Sequence, residues 1–153
     1  MIQLDTNIQE ETEVNGRQNV TIEIYEAEKL EGEDPLIEVE NEEPEEVLTG
    51  HNVITPDYKE NLSRLINPEK TATPIEASHL AVGTDNTDES ISDNGLKNEV
   101  YRDAIDDVTD ASSTNFNCIT LLTGNDANGD DLVEWGLVDD SEGTFVNRIV
   151  KET

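Results

Sequence analysis

The sequence predicts a mainly β protein, an antiparallel β-sandwich with one α-helix ahead of most of its strands. The alternative class is α+β. Two patterns in the 153-residue chain carry that expectation. Apolar residues recur in short runs, several of them alternating with polar ones, and Gly, Asn, Asp and Ser clusters separate them, as in short strands joined by turns. A single segment shows the 3.6-residue period of a helix between recognisable start and stop signals.

Taken in order, Asn19–Glu26 alternates with Val20, Ile22 and Ile24 on one face, after an Asn15-Gly16 turn signal. Leu36–Glu40 is a second, shorter strand candidate. The run Asn41-Glu42-Glu43-Pro44-Glu45-Glu46 reads as a solvated linker, because like charges extend it and proline denies it a helix interior. A module boundary is expected there, giving an acidic, β-rich module with linker over residues 1–47 and a main domain over 48–153. Two strands alone are marginal in water, so the first module needs the second or another chain.

The helix is predicted over 56–66. Thr55 supplies a cap, Pro56 the first helical position and Asp57 an acid in the first turn. Tyr58, Leu62, Leu65 and Ile66 then form one apolar stripe, and Asn67-Pro68 ends it. His79–Gly83 follows as a strand and Thr84–Asn94 as a long polar loop. Leu96–Arg102 is either a helical turn or the start of a strand. Asn115–Leu122, Asp131–Val138 and Thr144–Val150 complete the strands, joined by hairpin loops at 124–130 and 139–143.

Charge bounds the partners. Asp and Glu number 37 against 9 Lys and Arg, for a net charge of −28. Nucleic acid and anionic membrane would be repelled by such a surface. No apolar run approaches the roughly 20 residues that span a bilayer. The N-terminus lacks the basic and apolar segments of a signal peptide, which predicts a product made and kept in the cytoplasm until assembly. The acid is spread: residues 1–48 hold 16 acidic and 2 basic residues, and the remaining 21 and 7 give the same net −14. A coat of this kind, with only 5 lysines, fits a folded protein in concentrated salt. There a Debye length of about 3 Å at 1 M screens self-repulsion.

Little in the chain calls for catalysis. Asp126, Asn128, Asp130 and Asp131 resemble the opening of a calcium loop, but Asp131 stands where glycine is needed and Leu137 where a bidentate glutamate is needed. These four are weak cation candidates in what reads as a hairpin turn, and sodium, potassium, magnesium or calcium would bind there without specificity. No cofactor is expected. His51 and His79 are far apart in sequence, and Cys118 sits among Phe116, Ile119 and Leu121 as a small buried hydrophobe rather than a nucleophile. No nucleophile elbow or phosphate loop occurs. Glycosidase chemistry wants aromatic platforms as well as paired carboxylates, and the aromatics number six with Trp135 the sole indole. A non-enzymatic protein is expected.

An ordered run of short motifs points further. The leucine-bearing helix is followed by His79-Leu80-Ala81-Val82-Gly83-Thr84 and by Asp93-Asn94-Gly95-Leu96-Lys97-Asn98-Glu99-Val100-Tyr101-Arg102. Downstream come Ala127-Asn128-Gly129, Glu134-Trp135-Gly136-Leu137 and Gly143-Thr144-Phe145-Val146-Asn147-Arg148. Over about two-thirds of the chain, this succession resembles tail-fibre and tail-collar proteins of tailed viruses. The resemblance marks His79, Val82, Gly83, Glu99, Tyr101, Arg102, Trp135, Gly136 and Arg148 as the motif residues. It implies a virion component of the tail, at fibre base, collar or baseplate. With the acid coat, it implies a virus of a halophilic archaeon. Its partners would be copies of itself, in a trimer or multiple of three, and other virion proteins. The rival expectations are a capsid decoration or turret protein of the same virus, and a receptor- or glycan-binding module.

Overall fold

The computed structural model describes residues 2–5, 18–24, 43–67, 69, 71, 73–109, 117–122, 126–127, 129–140 and 143–152. Among the described residues it is mainly β and antiparallel with one helix, in agreement with the class expected. Ten strands run β1 (Ile2–Asp5), β2 (Gln18–Ile24), β3 (Glu46–Ile54), β4 (His79–Gly83), β5 (Glu99–Ala104), β6 (Asp107–Thr109), β7 (Asn117–Thr120), β8 (Glu134–Asp139), β9 (Thr144–Phe145) and β10 (Asn147–Lys151). Helix α1 (Pro56–Ile66) lies between β3 and β4.

All ten belong to one sheet, ordered β5-β4-β8-β10-β3-β2-β1-β7-β6, with β9 paired to β8. The two ends of that path are consecutive in the chain, joined only by Ile105 and Asp106. The Ile105 amide donates to Ser78 on the β4 side and the Asp106 amide to Ile119 on the β7 side, at 2.9 Å each. The sheet therefore curls until a single bent segment, 99–109, bridges its ends. Its facing halves are the two layers around one core.

Strand alternation sorts the residues between the two faces. Ile22, Leu48, Leu80, Val82, Cys118, Trp135, Leu137 and Ile149 meet on the inside, drawn from β2, β3, β4, β7, β8 and β10. One row of register partners crosses this face as Tyr101, Val82, Trp135, Ile149 and Asn52. On the outside of β4 and β8, Ala81, Val138 and Phe145 form a smaller cluster with Leu96. The loop from Thr84 to Asn98 covers that outer patch.

Residue 47, the expected module boundary, falls within β3. β2 pairs with β3 from Gln18↔Asn52 to Ile24↔Glu46, and β1 lies between β2 and β7. The strand candidate Leu36–Glu40 and the turn at Asn15-Gly16 lie outside the described residues, as does Phe116. Leu96–Arg102 resolves as the approach to β5, and Thr144–Val150 as two strands. One extra residue separates the registers Val138↔Phe145 and Trp135↔Ile149. At that bulge the Asn147 side-chain oxygen accepts from the Leu137 amide at 2.8 Å, replacing the missing ladder bond.

Candidate functional site

Most of the motif residues converge on the four-strand quarter β5-β4-β8-β10. Val82 and Trp135 are fully buried on its inner face, and Tyr101 packs against them. The Tyr101 hydroxyl donates to Asp103 at 3.3 Å. Burial first, then the neighbouring carboxylates of Asp126 and Asp103, push its pKa up to about 12. Gly83, Glu99, Arg102, Gly136 and Arg148 belong to the outer side. His79 stands apart at the start of β4, half-buried, with Nδ1 at 2.9 Å from the Ser78 hydroxyl.

Arg148 is the centre of the outer side. Its side chain is completely buried, and its guanidinium spends three nitrogens on three partners. Nε donates to Glu134 at 2.9 Å, Nη1 to Asp93 at 3.0 Å and Nη2 to the Thr87 carbonyl at 3.0 Å. Asp85 stands 3.5 Å from Nη2. Glu134 is equally buried and accepts backbone amides from the covering loop: Lys97 at 3.0 Å, Asn98 at 2.8 Å and Asp85 at 3.3 Å. Asp93 takes the Lys97 ammonium at 2.7 Å and the Ser90 amide at 2.8 Å. Burial pushes the Asp93 carboxyl up, but the bonds from Lys97 and Ser90 and the charge of Arg148 outweigh it and hold the group below its usual value. Asp85 is also lowered, chiefly by bonds from Thr87.

The glycines explain themselves at this site. A Cβ on Gly83 would lie 2.6 Å from both Glu134 Oε1 and the Asn98 carbonyl, so any side chain there would block the carboxylate from the loop. A Cβ on Gly136 would meet the Asn147 carbonyl at 2.8 Å and the Phe145 ring at 2.9 Å. Phe145 fills that slot, and Arg102 lies 5.3 Å from its ring centroid. Both terminal nitrogens of Arg102 are engaged, one by Glu99 at 2.8 Å and the other by Asp140 at 2.9 Å.

The chemistry of this constellation is cohesive. Each buried charge is matched by an opposite charge and by directed hydrogen bonds, which leaves no free base or nucleophile in it. Cys118 is buried in the core, and burial alone pushes its thiol up to about 11, the direction that makes it inert. Asp126 is half-buried and Asp130 and Asp131 are exposed, while Asn128 lies outside the described residues. Among the described residues no three His, Cys, Asp or Glu side chains converge as metal ligands. His51 pairs with Glu152 at 2.9 Å beside a 390 Å³ cleft that also borders Asn86, Asp88 and Lys151.

Helix α1 presents the other notable surface. The Thr55 hydroxyl caps the Tyr58 amide and donates to the Phe145 carbonyl, fixing the first turn to β9. The Asn61 side-chain amide donates to the Thr73 carbonyl at 2.9 Å. Asp57, Glu60, Asn61 and Arg64 line a 210 Å³ groove with Ile75 and Thr144. Of the apolar stripe Tyr58 is half-buried, while Leu62 is 40% exposed, Leu65 46% and Ile66 83%. No residue of the helix is buried.

Comparison with protein-family models, with curated proteins and with solved structures finds no match to this chain. Several residues of the site were not singled out by sequence reasoning: Glu134, Asp93, Lys97, Asp140 and Phe145. Glu134 alone had a signal, as the acid opening an otherwise apolar strand. Asp93 is one of 37 acids and carries none.

Proposed function

We propose that this chain is a non-enzymatic structural component of a virus tail, placed at the fibre base, collar or baseplate, and works by protein–protein assembly in concentrated salt. The observation that carries the reading is the exposed apolar end of α1, Leu62, Leu65 and Ile66. Amphipathic helices of soluble domains turn their apolar stripe inward. Here Leu62, Leu65 and Ile66 are left in solvent, on a chain that otherwise coats itself in acid. A stripe so placed is suited to contact with another protein chain.

The remainder of the molecule suits a scaffold. Arg148 and its partners bind a long loop flat against the sheet, and Arg102 closes over Phe145, so the surface is held by ion pairs with little to move. The resemblance of the motif succession to tail-fibre and tail-collar proteins supplies the tail assignment. The test is location. Antibodies raised against the chain and applied to intact particles from the producing host are expected to label tails. Label on heads would favour a capsid decoration instead, and absence of the chain from purified particles would overturn the reading.

A further inference from the structure

The loop that covers the outer patch has a chemical weak point in its most tightly held stretch. Asn-Gly occurs at 15–16, 94–95 and 128–129, and among the described residues only Asn94-Gly95 is complete. We infer that Asn94 is a modification site, at which attack by the Gly95 nitrogen yields an isoaspartate that loosens the loop. Asn94 is exposed, and among the described residues neither its carboxamide nor the Gly95 amide has a hydrogen-bond partner. Glycine puts no side chain over its own nitrogen, so asparagine before glycine is thermolabile. The Gly95 nitrogen, stripped of its proton by hydroxide, bonds to the side-chain carbonyl carbon of Asn94. The carboxamide C–N bond breaks and ammonia leaves. Water then opens the five-membered imide at either carbonyl, giving an aspartate or an isoaspartate. Water is consumed, ammonia is released, and nothing is oxidised or reduced. Asn86, in the same loop, is the contrast: the next residue is the β-branched Thr87, whose amide donates to Asp85 at 2.9 Å.

The effect of the change follows from the anchors on either side. Asp93 is buried and accepts from Arg148 at 3.0 Å, from the Ser90 amide at 2.8 Å and from the Lys97 ammonium at 2.7 Å. The Lys97 and Asn98 amides donate to Glu134 at 3.0 and 2.8 Å. Between these anchors Gly95 passes so close to the Phe145 ring that a Cβ there would meet it at 3.0 Å. An aspartate at 94 adds a charge in solvent and leaves the path of the chain alone. An isoaspartate routes the main chain through the side-chain carbon. A longer chain must then fit between Asp93 and Lys97, with no slack against Phe145. The Lys97 and Asn98 amides draw away from Glu134, and its buried carboxylate loses the donors that satisfy it.

Ageing the full chain in mildly alkaline, molar KCl tests both halves. Trypsin releases residues 71–97 as one peptide, which holds Asn86 and Asn94 together. Two products should appear, each with the mass gain of an NH2-to-OH exchange, placed at position 94 by fragmentation. One of them should accept a methyl group from an isoaspartyl methyltransferase, and Asn86 should stay intact. In the aged protein hydrogen exchange at the Lys97 and Asn98 amides should speed up and the melting temperature should fall. Asn94→Gln should fold alike, because the side chain is exposed, and should age without either change. Freshly made Asn94→Asp should keep native protection at Lys97 and Asn98, which separates chain length from charge. Asn94 intact after ageing, or equal conversion at Asn86, would overturn the site. Unchanged exchange at Lys97 and Asn98 in the isoaspartate form would overturn the loosening.

Discussion

At the scale of single residues, Arg148 decides most. A guanidinium completely removed from water is tolerable only with its partners in place, so its loss leaves Glu134 buried without a countercharge and Asp93 with Lys97 alone. Arg148→Met should cost about 3–5 kcal/mol in urea unfolding at molar KCl. Arg148→Lys restores the charge but cannot direct three nitrogens to Glu134, Asp93 and the Thr87 carbonyl, and should recover only part of that loss. Asp93 contributes to stability against acid. Its folded pKa is depressed, so the stability it contributes is present above its unfolded value near 3.8 and is lost as pH falls through the folded value. The midpoint difference between the protein and Asp93→Asn, measured in molar salt, should therefore be full at neutral pH and vanish below that range. The motif succession had marked Arg148, Gly83 and Gly136, but not why they matter. Their partners are acids among 37, and nothing local to a sequence distinguishes the acid that will be buried from those left in solvent.

At the scale of elements, local chemistry was sufficient wherever the decision was local. The cap at Thr55, the proline after it and Asn67-Pro68 bound α1 at the residues where the helix begins and ends. A short apolar run located β4 to the residue, and such runs or period 2 located β2, β7 and β8 to within a few. What periodicity leaves open is exposure: it shows that Tyr58, Leu62, Leu65 and Ile66 share a stripe, while the placement of the helix half-buries Tyr58 and leaves the other three in solvent. Removing the cap should accordingly matter beyond one turn. Thr55→Ala deletes both the bond to Tyr58 and the bond to Phe145, and should cost about 1–2 kcal/mol with loss of helical signal in circular dichroism. At the opposite end of Phe145, Gly136→Ala drives a methyl into the ring and the Asn147 carbonyl. It should lower stability by about 1–3 kcal/mol in thermal unfolding, from overpacking rather than from any cavity.

At the scale of the whole molecule, charge and topology act together. A chain of net −28 wrapped around one core stores repulsion that salt relieves. Its melting temperature should climb steadily as KCl rises from about 0.1 M, where the Debye length is about 10 Å, to molar concentration. A midpoint indifferent to salt would remove the case for a salt-adapted coat. The ring order of the strands was not legible, because which strand lies beside which is set by pairings across a hundred residues.

Those pairings also govern time. The first strand finds both its neighbours only when Ile2 can meet Ile24 on one side and Thr120 on the other, and β3 meets β10 only when residues 147–151 exist. During synthesis, then, the part made first waits longest, and folding of so non-local a sheet is slow once the chain is complete. Unpaired strands that wait are open to one another. Residues 1–48 carry 16 acidic side chains, and burying any of them in a wrong pairing costs desolvation.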